Sequence, residues 1–265
     1  MDYDQIYQRN IGLFTKEEQE KLQAAKVAVA GVGGVGGIQA ATLARFGVGH
    51  ISILDPGIFD EPDMNRQYGA MLSTLGENKA VAMGKILKDI NPFLKVEVHK
   101  TVLNQAQLYE FIKGSSLVID AIDYAFFDYK SRFANIARKE GIINLSAPIP
   151  DFSTLLMIFD PEGMSFDEFF SIPTEEEKQI NFKPPIERFF GKGTIPKNLS
   201  DFINGETPYI STNGGAATLS GSVLSTEAAL IMTGKRKKED IIFAPNILSV
   251  DLLSRTFNVF NSFEV

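Results

Sequence analysis

A glycine-rich turn close to the start of the chain constrains its fold most strongly. The apolar run Val27–Ala30 is followed by Gly31, Gly33 and Gly36 in the pattern G-x-G-x-x-G, and residues 38–46 have helical composition. The β-branched apolar run predicts a buried parallel strand. A strand, a glycine turn and a helix in this order favour a nucleotide site, because the backbone can approach a phosphate with no Cβ in the way and the helix N-terminus attracts the anion.

The strand predicted next, over 51–54, ends at Asp55, nineteen residues after Gly36. An acid at that position can accept hydrogen bonds from a ribose. Short apolar strands and helical stretches then alternate as far as about residue 145, and the strand 117–120 runs into Asp123. This alternation predicts an α/β fold, a doubly wound, Rossmann-like and mainly parallel sheet with helices on both faces. Because ligands bind at the carboxyl ends of such strands, we expect the turn, Asp55 and Asp123 to share one site.

The pattern changes after Pro150. A strand over 153–159 precedes a stretch, 164–208, that contains five prolines and seven phenylalanines and is predicted to be irregular. A structureless segment of this length is typical of a lid or binding segment, although a surface cover is an equal alternative. A helix over 212–233 and two closing strands over 247–251 and 255–260 complete the chain.

We therefore predict a single domain over 1–265, with the long crossover loop and a C-terminal extension of mixed strands added to the sheet. Its parts are an N-terminal arm and helix (1–25), a nucleotide-binding core (26–150), the loop or lid segment (164–208), and the C-terminal helix with its closing strands (209–265).

Composition excludes several classes of function. The net charge of −7 argues against nucleic acid as the main partner, and the basic run Lys235–Lys238 is assigned to the end of a helix, where cations complement the dipole. The chain has no cysteine and two histidines, so disulfides, a cysteine thioester and a structural zinc site are not expected. The acidic N-terminus does not resemble a signal peptide, and the longest mainly apolar stretch is too polar to span a membrane. We expect a cytoplasmic protein with no membrane partner.

The polar residues that follow the glycine turn form a more specific pattern than the turn itself. Asp55, the triplet Asn65-Arg66-Gln67, Lys79 and the D-x-x-D ending at Asp123 follow one another at a spacing that resembles the adenylating domain of the ThiF/MoeB/HesA family, which is related to ubiquitin-activating enzymes. The resemblance runs from about Tyr7 through Ala147 and continues more weakly to the end. Taken singly, the aspartates could be helix caps and the cations surface charges.

The resemblance implies an ATP-dependent adenylyltransferase that uses ATP and Mg²⁺ to form an acyl-adenylate on a carboxylate. Arg66 and Lys79 match a phosphate-contacting pair, Asp123 the aspartate that holds Mg²⁺, Asp55 the ribose-binding acid, and Gly34 a glycine that approaches the nucleotide. The implied nucleotide-binding set comprises Gly31, Gly33, Gly34, Gly36, Asp55, Asn65, Arg66, Gln67, Lys79 and Asp123.

Arg9, in the pattern Tyr-x-Arg-x-Ile, matches an arginine that reaches into the site of the partner subunit. The resemblance thus implies a homodimer in which Arg9 acts in trans, and it makes Arg9, Arg66, Lys79 and Asp123 the catalytic candidates. The implied partner is the carboxylate of a small ubiquitin-like sulfur carrier or of a peptide, activated without an enzyme cysteine.

Three departures from the family pattern stand out. Asp63 occupies a position where asparagine is usual, and an acid close to phosphates is unfavourable unless a metal or Arg66 offsets it. Tyr124 also replaces an asparagine. The common C-x-x-C zinc pair is replaced by Met164–Phe170, where we expect phenylalanine packing to hold the segment down instead of zinc.

Other functions remain open at this point. An NAD-dependent oxidoreductase would use the same glycine turn, but nothing after residue 150 resembles a hydride-transfer site and Arg66 and Lys79 would lack a role. Asp63 keeps a non-catalytic nucleotide-binding module possible. The branch of the family that activates the carboxyl group of a modified tRNA base is a further alternative, against which the acidic net charge counts.

Overall fold

The computed structural model describes residues 1–173, 185–190 and 195–264. The strands in this part of the chain are β1 (Lys26–Ala30), β2 (His50–Leu54), β3 (Lys95–His99), β4 (Leu117–Asp120), β5 (Asn144–Ser146), β6 (Ser153–Phe159), β7 (Asn246–Asp251) and β8 (Thr256–Asn261). They form one sheet in the order β3-β2-β1-β4-β5-β6-β7-β8. Strands β1 to β5 are parallel, and β6, β7 and β8 each pair antiparallel with the preceding strand.

The α-helices of the described residues are α1 (Tyr3–Tyr7), α2 (Lys16–Ala24), α3 (Gly36–Phe46), α4 (Lys79–Ile90), α5 (Gln105–Ile112), α6 (Phe127–Lys139), α7 (Phe166–Phe169), α8 (Lys197–Ile203) and α9 (Gly214–Thr233). Local sequence fixes several of their ends. Thr15 and Glu18 form a capping box at the start of α2, and Gly47 and Gly234 end α3 and α9 in the left-handed conformation.

The predicted doubly wound α/β sheet is confirmed, and its order of strands defines where a ligand binds. The chain builds β1, β2 and β3 outward in one direction and then returns to place β4 on the other side of β1. Ala30 pairs in register with Leu54 of β2 and with Asp120 of β4, so these three strands end level with one another. The reversal of strand order at β1 and β4 is the switch point at which open α/β sheets bind ligands.

Apolar side chains cover both faces of the sheet. One face packs against α3, α4 and α9 through residues such as Leu43, Met83 and Leu224. The other packs against α5 and α6, which contribute Phe111 and Phe133. The strands β1, β2 and β4 are buried on both faces, which explains why their sequences read as continuous apolar runs.

The small residues of α9 let it approach α3 closely within the same subunit. A Cβ added to Gly221 would lie 2.7 Å from Cγ1 of Ile38. The Gln39 side-chain amide donates to Oγ of Ser220 at 2.9 Å, and Oγ of Ser225 donates to the carbonyl of Gln39 at 3.0 Å. The small face of α9 therefore belongs to the core of one subunit.

The described residues of the segment 164–208 contain more regular secondary structure than the sequence predicts. Its described residues include α7, α8 and a 3₁₀ turn at Ile186–Phe190, whereas 174–184 and 191–194 lie outside the described residues. Short helices were missed because each is only one or two turns long. The phenylalanine packing that we expected is present: a buried cluster contains Phe159, Phe166, Phe169, Phe170 and Phe189.

The basic run after α9 makes ion pairs, as expected for a charged helix end. Arg236 binds Glu227 at 2.7 Å, Lys235 lies 3.6 Å from Glu18, and Lys238 lies 2.8 Å from Glu162. Among the helices of the described ranges, none is long and apolar enough to cross a membrane.

The carboxylate of Glu97 on β3 makes the strand's stability sensitive to acid. It lies 2.7 Å from Nζ of Lys95 and 3.2 Å from Nε2 of His50, and it accepts a 2.8 Å hydrogen bond from Ser52. Burial alone would raise the pKa of Glu97, but the hydrogen bonds from Lys95 and Ser52 and the nearby His50 outweigh it and lower the pKa from 4.5 to about 2. Because the folded state lowers this pKa, the stabilisation is complete above pH 4.5 and is lost as the pH falls toward 2.

We therefore expect Glu97→Gln to reduce the free energy of unfolding near pH 7 by on the order of 1 kcal/mol, a value discounted for partial exposure. Urea unfolding of both proteins between pH 7 and pH 2 measures this difference, which should shrink with falling pH. Glu110→Gln, at an exposed carboxylate 3.7 Å from Lys113, is the matched control and should cost less. A difference for Glu97→Gln that stays constant with pH would contradict this account.

Candidate functional site

The first and third glycines of the turn between β1 and α3 are required by close backbone contacts. Gly31 has a φ of +88°, and a Cβ there would lie 2.4 Å from the carbonyl oxygen of Ala121. A Cβ at Gly36 would lie 1.9 Å from the carbonyl oxygen of Gly31. The turn is thus pressed against the loop that follows β4, and any side chain at either position would separate them.

The middle glycines lie opposite another loop. A Cβ at Gly33 would lie 3.1 Å from Oε1 of Gln67, and one at Gly34 would lie 4.0 Å from Nε of Arg66. The turn therefore lies against the predicted Asn65–Gln67 triplet with no side chain of its own between them. Val35, at the N-cap of α3, carries no polar side chain, and the N–H of Gly37 donates to the carbonyl of Gly33 at 3.4 Å.

Asp55 ties the end of β2 to this turn. Its Oδ2 accepts a 2.9 Å hydrogen bond from the backbone N–H of Val32, and its Oδ1 accepts one of 2.8 Å from Gly57. The carboxylate lies where the sequence places it, beside the glycine turn. Its contact with a ribose remains a prediction.

Lys79 reaches the site because its helix is anchored to the same loop. Asn78 caps α4 by accepting from Val81, and its Nδ2 donates at 3.0 Å to the carbonyls of both Asp55 and Gly57. The backbone N–H of Lys79 donates to Gly57 at 2.8 Å. The start of α4 is therefore positioned by backbone and cap contacts, and these set the direction of the lysine.

Asp63 joins the two predicted phosphate-binding cations. Its carboxylate is almost buried and lies 2.9 Å from Nζ of Lys79 and 3.6 Å from Nη2 of Arg66, and it accepts a hydrogen bond from the Gln67 amide. Burial alone would raise the pKa of Asp63, but Lys79 outweighs burial, so the pKa is lowered. The sequence indicated that Arg66 or a metal must offset this acid; the structure makes Lys79 the nearer partner.

The start of α9 closes the site beside Asn65. Nδ2 of Asn65 donates to the carbonyl of Thr212 at 3.0 Å, and a Cβ at Gly214 would lie 2.9 Å from the carbonyl oxygen of Asn65. Asn213 caps α9 and donates to the carbonyl of Asp151 at 3.0 Å. Sequence reasoning did not connect the start of α9 with the site, because the two stretches are nearly 150 residues apart.

Asp123 lies at the same edge of the sheet, just after β4, and is exposed. Its Oδ1 accepts a 2.9 Å hydrogen bond from Ala125 and caps the 3₁₀ turn Tyr124–Phe126. Asp123 is thus a helix cap, as one alternative from the sequence proposed. The role of Asp123 toward Mg²⁺ remains a prediction. Within the described ranges, no group of three or more histidine, aspartate or glutamate side chains could hold a metal ion.

A buried ion pair fixes the loop that carries Asp123. Nζ of Lys130 lies 2.9 Å from Oδ1 of Asp120 and donates at 2.8 Å to the carbonyl of Ile122, and it sits 4.7 Å from the ring centre of Tyr124. Both charged side chains are inaccessible to solvent, at 1% and 0% exposure. Sequence reasoning missed Lys130, although its spacing from Phe133, Ala134 and Ala137 places it on the apolar side of α6.

Arg9 is the one catalytic candidate that the structure does not bring to this site. The hydroxyls of Tyr3 and Tyr7 donate to the carbonyls of Gly47 and Ala44 at 2.7 and 2.8 Å, and Asn10 donates to Phe46 at 3.2 Å. These contacts hold the N-terminal arm at the C-terminal end of α3. An eleven-residue helix is about 16 Å long, so Arg9 lies a helix length from the glycine turn of its own chain.

The fold and the site together define an α/β nucleotide-binding domain of the kind that the sequence resembles. The ThiF family model matches residues 7–264, and the chain belongs to the ThiF family.

Two curated relatives match parts of the chain. It is 28% identical over 157 residues to the adenylyltransferase and sulfurtransferase UBA4 of Candida albicans, covering 59% of this chain and 36% of that protein. It is 41% identical over 118 residues to the tRNA threonylcarbamoyladenosine dehydratase of Bacillus subtilis, covering 44% of this chain and 46% of that protein. The match thus spans between a third and a half of the length of these relatives.

Solved structures share the fold over nearly the whole chain. PaaA superposes with a TM-score of 0.74 at 18% identity, covering 97% of this chain and 73% of that one. E. coli MccB with ATP superposes with a TM-score of 0.70 at 13% identity, covering 97% and 70%. At this level of identity the likeness shows the fold.

Removal of the Lys130 ammonium should destabilise the protein strongly. Lys130→Ala leaves the Asp120 carboxylate buried without its cation, a change that typically costs 3–5 kcal/mol, so we expect a loss of about that size in the free energy of unfolding. Urea unfolding measures it, with Lys139→Ala on the exposed side of α6 as control. The double variant Asp120→Asn/Lys130→Met should recover part of the loss, and equal losses for Lys130→Ala and Lys139→Ala would contradict the role of the pair.

Proposed function

We propose that this protein is an ATP-dependent adenylyltransferase that activates a carboxylate as an acyl-adenylate, with ATP and Mg²⁺ as its cofactors. One observation carries the proposal: Asp55 after β2, the adjacent Arg66 and Gln67, and Lys79 at the start of α4 converge beside the glycine turn at the switch point of the sheet. Membership of the ThiF family and the names of its relatives support the same chemistry.

The residues fit a triphosphate. Gly33 and Gly34 place no side chain between the turn and the Asn65–Gln67 triplet, and α3 begins directly after them, so its N-terminus would attract an anion bound there. Arg66 and Lys79 supply two cations, and Asp55 at the end of β2 would accept from the ribose hydroxyls. Together with Gly31, Gly36 and Asn65, which shape the turn and its facing loop, these residues form the proposed nucleotide site.

In the proposed reaction a carboxylate oxygen attacks the α-phosphorus of ATP, and the bond to the departing pyrophosphate breaks. Negative charge grows on the leaving phosphates, and Arg66 and Lys79 would stabilise it from fixed positions. Asp123 would hold Mg²⁺, since this ion is commonly bound by one or two carboxylates together with substrate phosphates. When bound, Mg²⁺ neutralises phosphate charge.

The carboxylate that we favour is the C-terminus of a small ubiquitin-like sulfur carrier or of a peptide. The names of similar proteins support both: a SAMP-activating enzyme E1 of Haloferax volcanii is 27% identical over 147 residues, and MccB shares the fold in a structure with N-formylated MccA. Because the chain has no cysteine, the acyl-adenylate would pass directly to the acceptor.

A second candidate substrate is the carboxyl group of a modified tRNA base. The 41% identity to the Bacillus subtilis dehydratase favours it, and the net charge of −7 counts against it. Exchange of pyrophosphate into ATP, tested against Gly-Gly-ending carrier proteins, peptides and modified tRNA, separates the two. Binding of NAD in preference to ATP would instead support the oxidoreductase alternative.

Variants at the two predicted phosphate and metal contacts should lose pyrophosphate exchange. Lys79→Gln and Asp123→Asn should each reduce the exchange rate on the order of a hundredfold or more, because loss of one charged partner of the developing anion has an effect of that size. Asparagine keeps the cap on Ala125, so the loop should remain folded. Lys85→Gln, at an exposed lysine of the same helix, is the control and should retain full activity.

Arg9 is proposed to complete the site of a partner subunit in a homodimer. Its place a helix length from its own glycine turn supports action in trans, where a guanidinium would meet the β- and γ-phosphates in the manner of an arginine finger.

This proposal predicts complementation between inactive dimers. Homodimers of Arg9→Ala and of Lys79→Gln should both be inactive, and after subunit exchange the mixture should recover about a quarter of wild-type pyrophosphate exchange. Half of the dimers are then mixed, and each contains one intact site. If exchange is demonstrated by labelled subunits and no activity returns, Arg9 does not act in trans.

A further inference from the structure

Asp63 places a negative charge between the two cations that the proposed reaction uses. Its side chain is 8% exposed, and its carboxylate oxygens lie 2.9 Å from the Lys79 ammonium and 3.6 Å from the Arg66 guanidinium. The Gln67 amide and the backbone N–H of Asp60 also donate to it. The carboxylate is therefore as fully surrounded by donors as a bound phosphate would be.

Lys79 does not need this carboxylate in order to point into the site. The start of α4 is fixed by the Asn78 cap and by the hydrogen bond from the Lys79 backbone to Gly57. The Lys79 ammonium also lies over the Phe59 ring, with Nζ 5.5 Å from the ring centre. Asp63 thus acts mainly on the charge of the lysine and much less on its position.

An incoming triphosphate must compete with Asp63 for both cations. Any phosphate oxygen that takes the Lys79 ammonium leaves the almost buried carboxylate short of a counter-ion and beside another anion. A divalent cation bound to the phosphates reduces that repulsion, because it lowers the charge that faces Asp63. The penalty should therefore be largest for metal-free nucleotide.

We propose that Asp63 is a built-in competitor of the triphosphate that makes this site select the metal-complexed nucleotide over the free one. The inference rests on the proposed function and deepens it, since it concerns the form of ATP that the same site accepts. It also gives a role to the position at which this chain departs from the asparagine of its family.

Calorimetric titration with a non-hydrolysable ATP analogue tests the proposal. In EDTA, Asp63→Asn should bind the analogue on the order of tenfold more tightly than wild type, because close charge pairs in such sites couple by at least that factor. In excess Mg²⁺ the two proteins should differ by much less. Asparagine is nearly isosteric and keeps one acceptor oxygen, which serves either Gln67 or Asp60, and thermal unfolding checks that the variant folds.

Asp60→Asn is the matched control. It removes the same charge from the same 3₁₀ turn, keeps the cap, and lies at an exposed side chain, so its affinity should stay within about twofold of wild type. A gain equal to that of Asp63→Asn would show a general charge effect and overturn the proposal. So would an unchanged or weaker affinity for Asp63→Asn in EDTA.

A double-variant cycle locates the competition. In a Lys79→Gln background, Asp63→Asn should give a smaller gain than in wild type, since one of the two shared cations is absent while Arg66 remains; an undiminished gain there would also overturn the proposal. Inorganic tripolyphosphate, which lacks a nucleoside, serves as a second probe. If wild type binds the analogue and Asp63→Asn gains nothing, only this inference fails. If neither probe binds either protein, the proposed function fails with it.

Discussion

The contact between the glycine turn and the loop after β4 is the constraint on which the site depends. Gly31 and Gly36 allow backbone to meet backbone, so that β1, β2 and β4 end level and their loops converge. Asp55 then joins the turn to the end of β2, and Asn78 joins that strand end to α4. A change in the contact between the turn and the loop after β4 would therefore shift the contacts of Asp55 and Asn78 as well, because each loop is positioned by the one before it.

Two lysine–aspartate pairs lie at this edge of the sheet and differ in accessibility. Lys130 and Asp120 are sealed from solvent, and their pairing holds the loop that leads to Asp123. Lys79 and Asp63 retain some exposure, at 15% and 8%, and lie beside the glycine turn. The sealed pair suits a structural role, since separating its charges is very costly. The accessible pair suits the proposed exchange of one anion for another at Lys79.

The sequence was sufficient for the fold class, a doubly wound and mainly parallel sheet, and the reason is physical. Short apolar runs bounded by glycine and aspartate, alternating with helical stretches, favour buried parallel strands whose carboxyl ends meet at one edge. What it could not show was contact between side chains. The Asp63–Lys79 pair depends on the course of a 3₁₀ turn, which no periodic sequence pattern predicts. The packing of α9 on α3, with Gly221 against Ile38, is another contact of this kind. The burial of Lys130 could have been predicted from its place on the apolar face of a helix.

The phenylalanine cluster has a consequence for how the segment after β6 is held. Phe166 and Phe170 lie 4.6 Å apart and Phe169 and Phe170 4.8 Å apart, centre to centre, and all three rings are buried. Contacts made by aromatic burial follow the temperature dependence of apolar hydration and weaken on cooling. The hold on Phe166, Phe169 and Phe170 should therefore loosen when the protein is cooled, opposite to the behaviour of a metal-ligand bond.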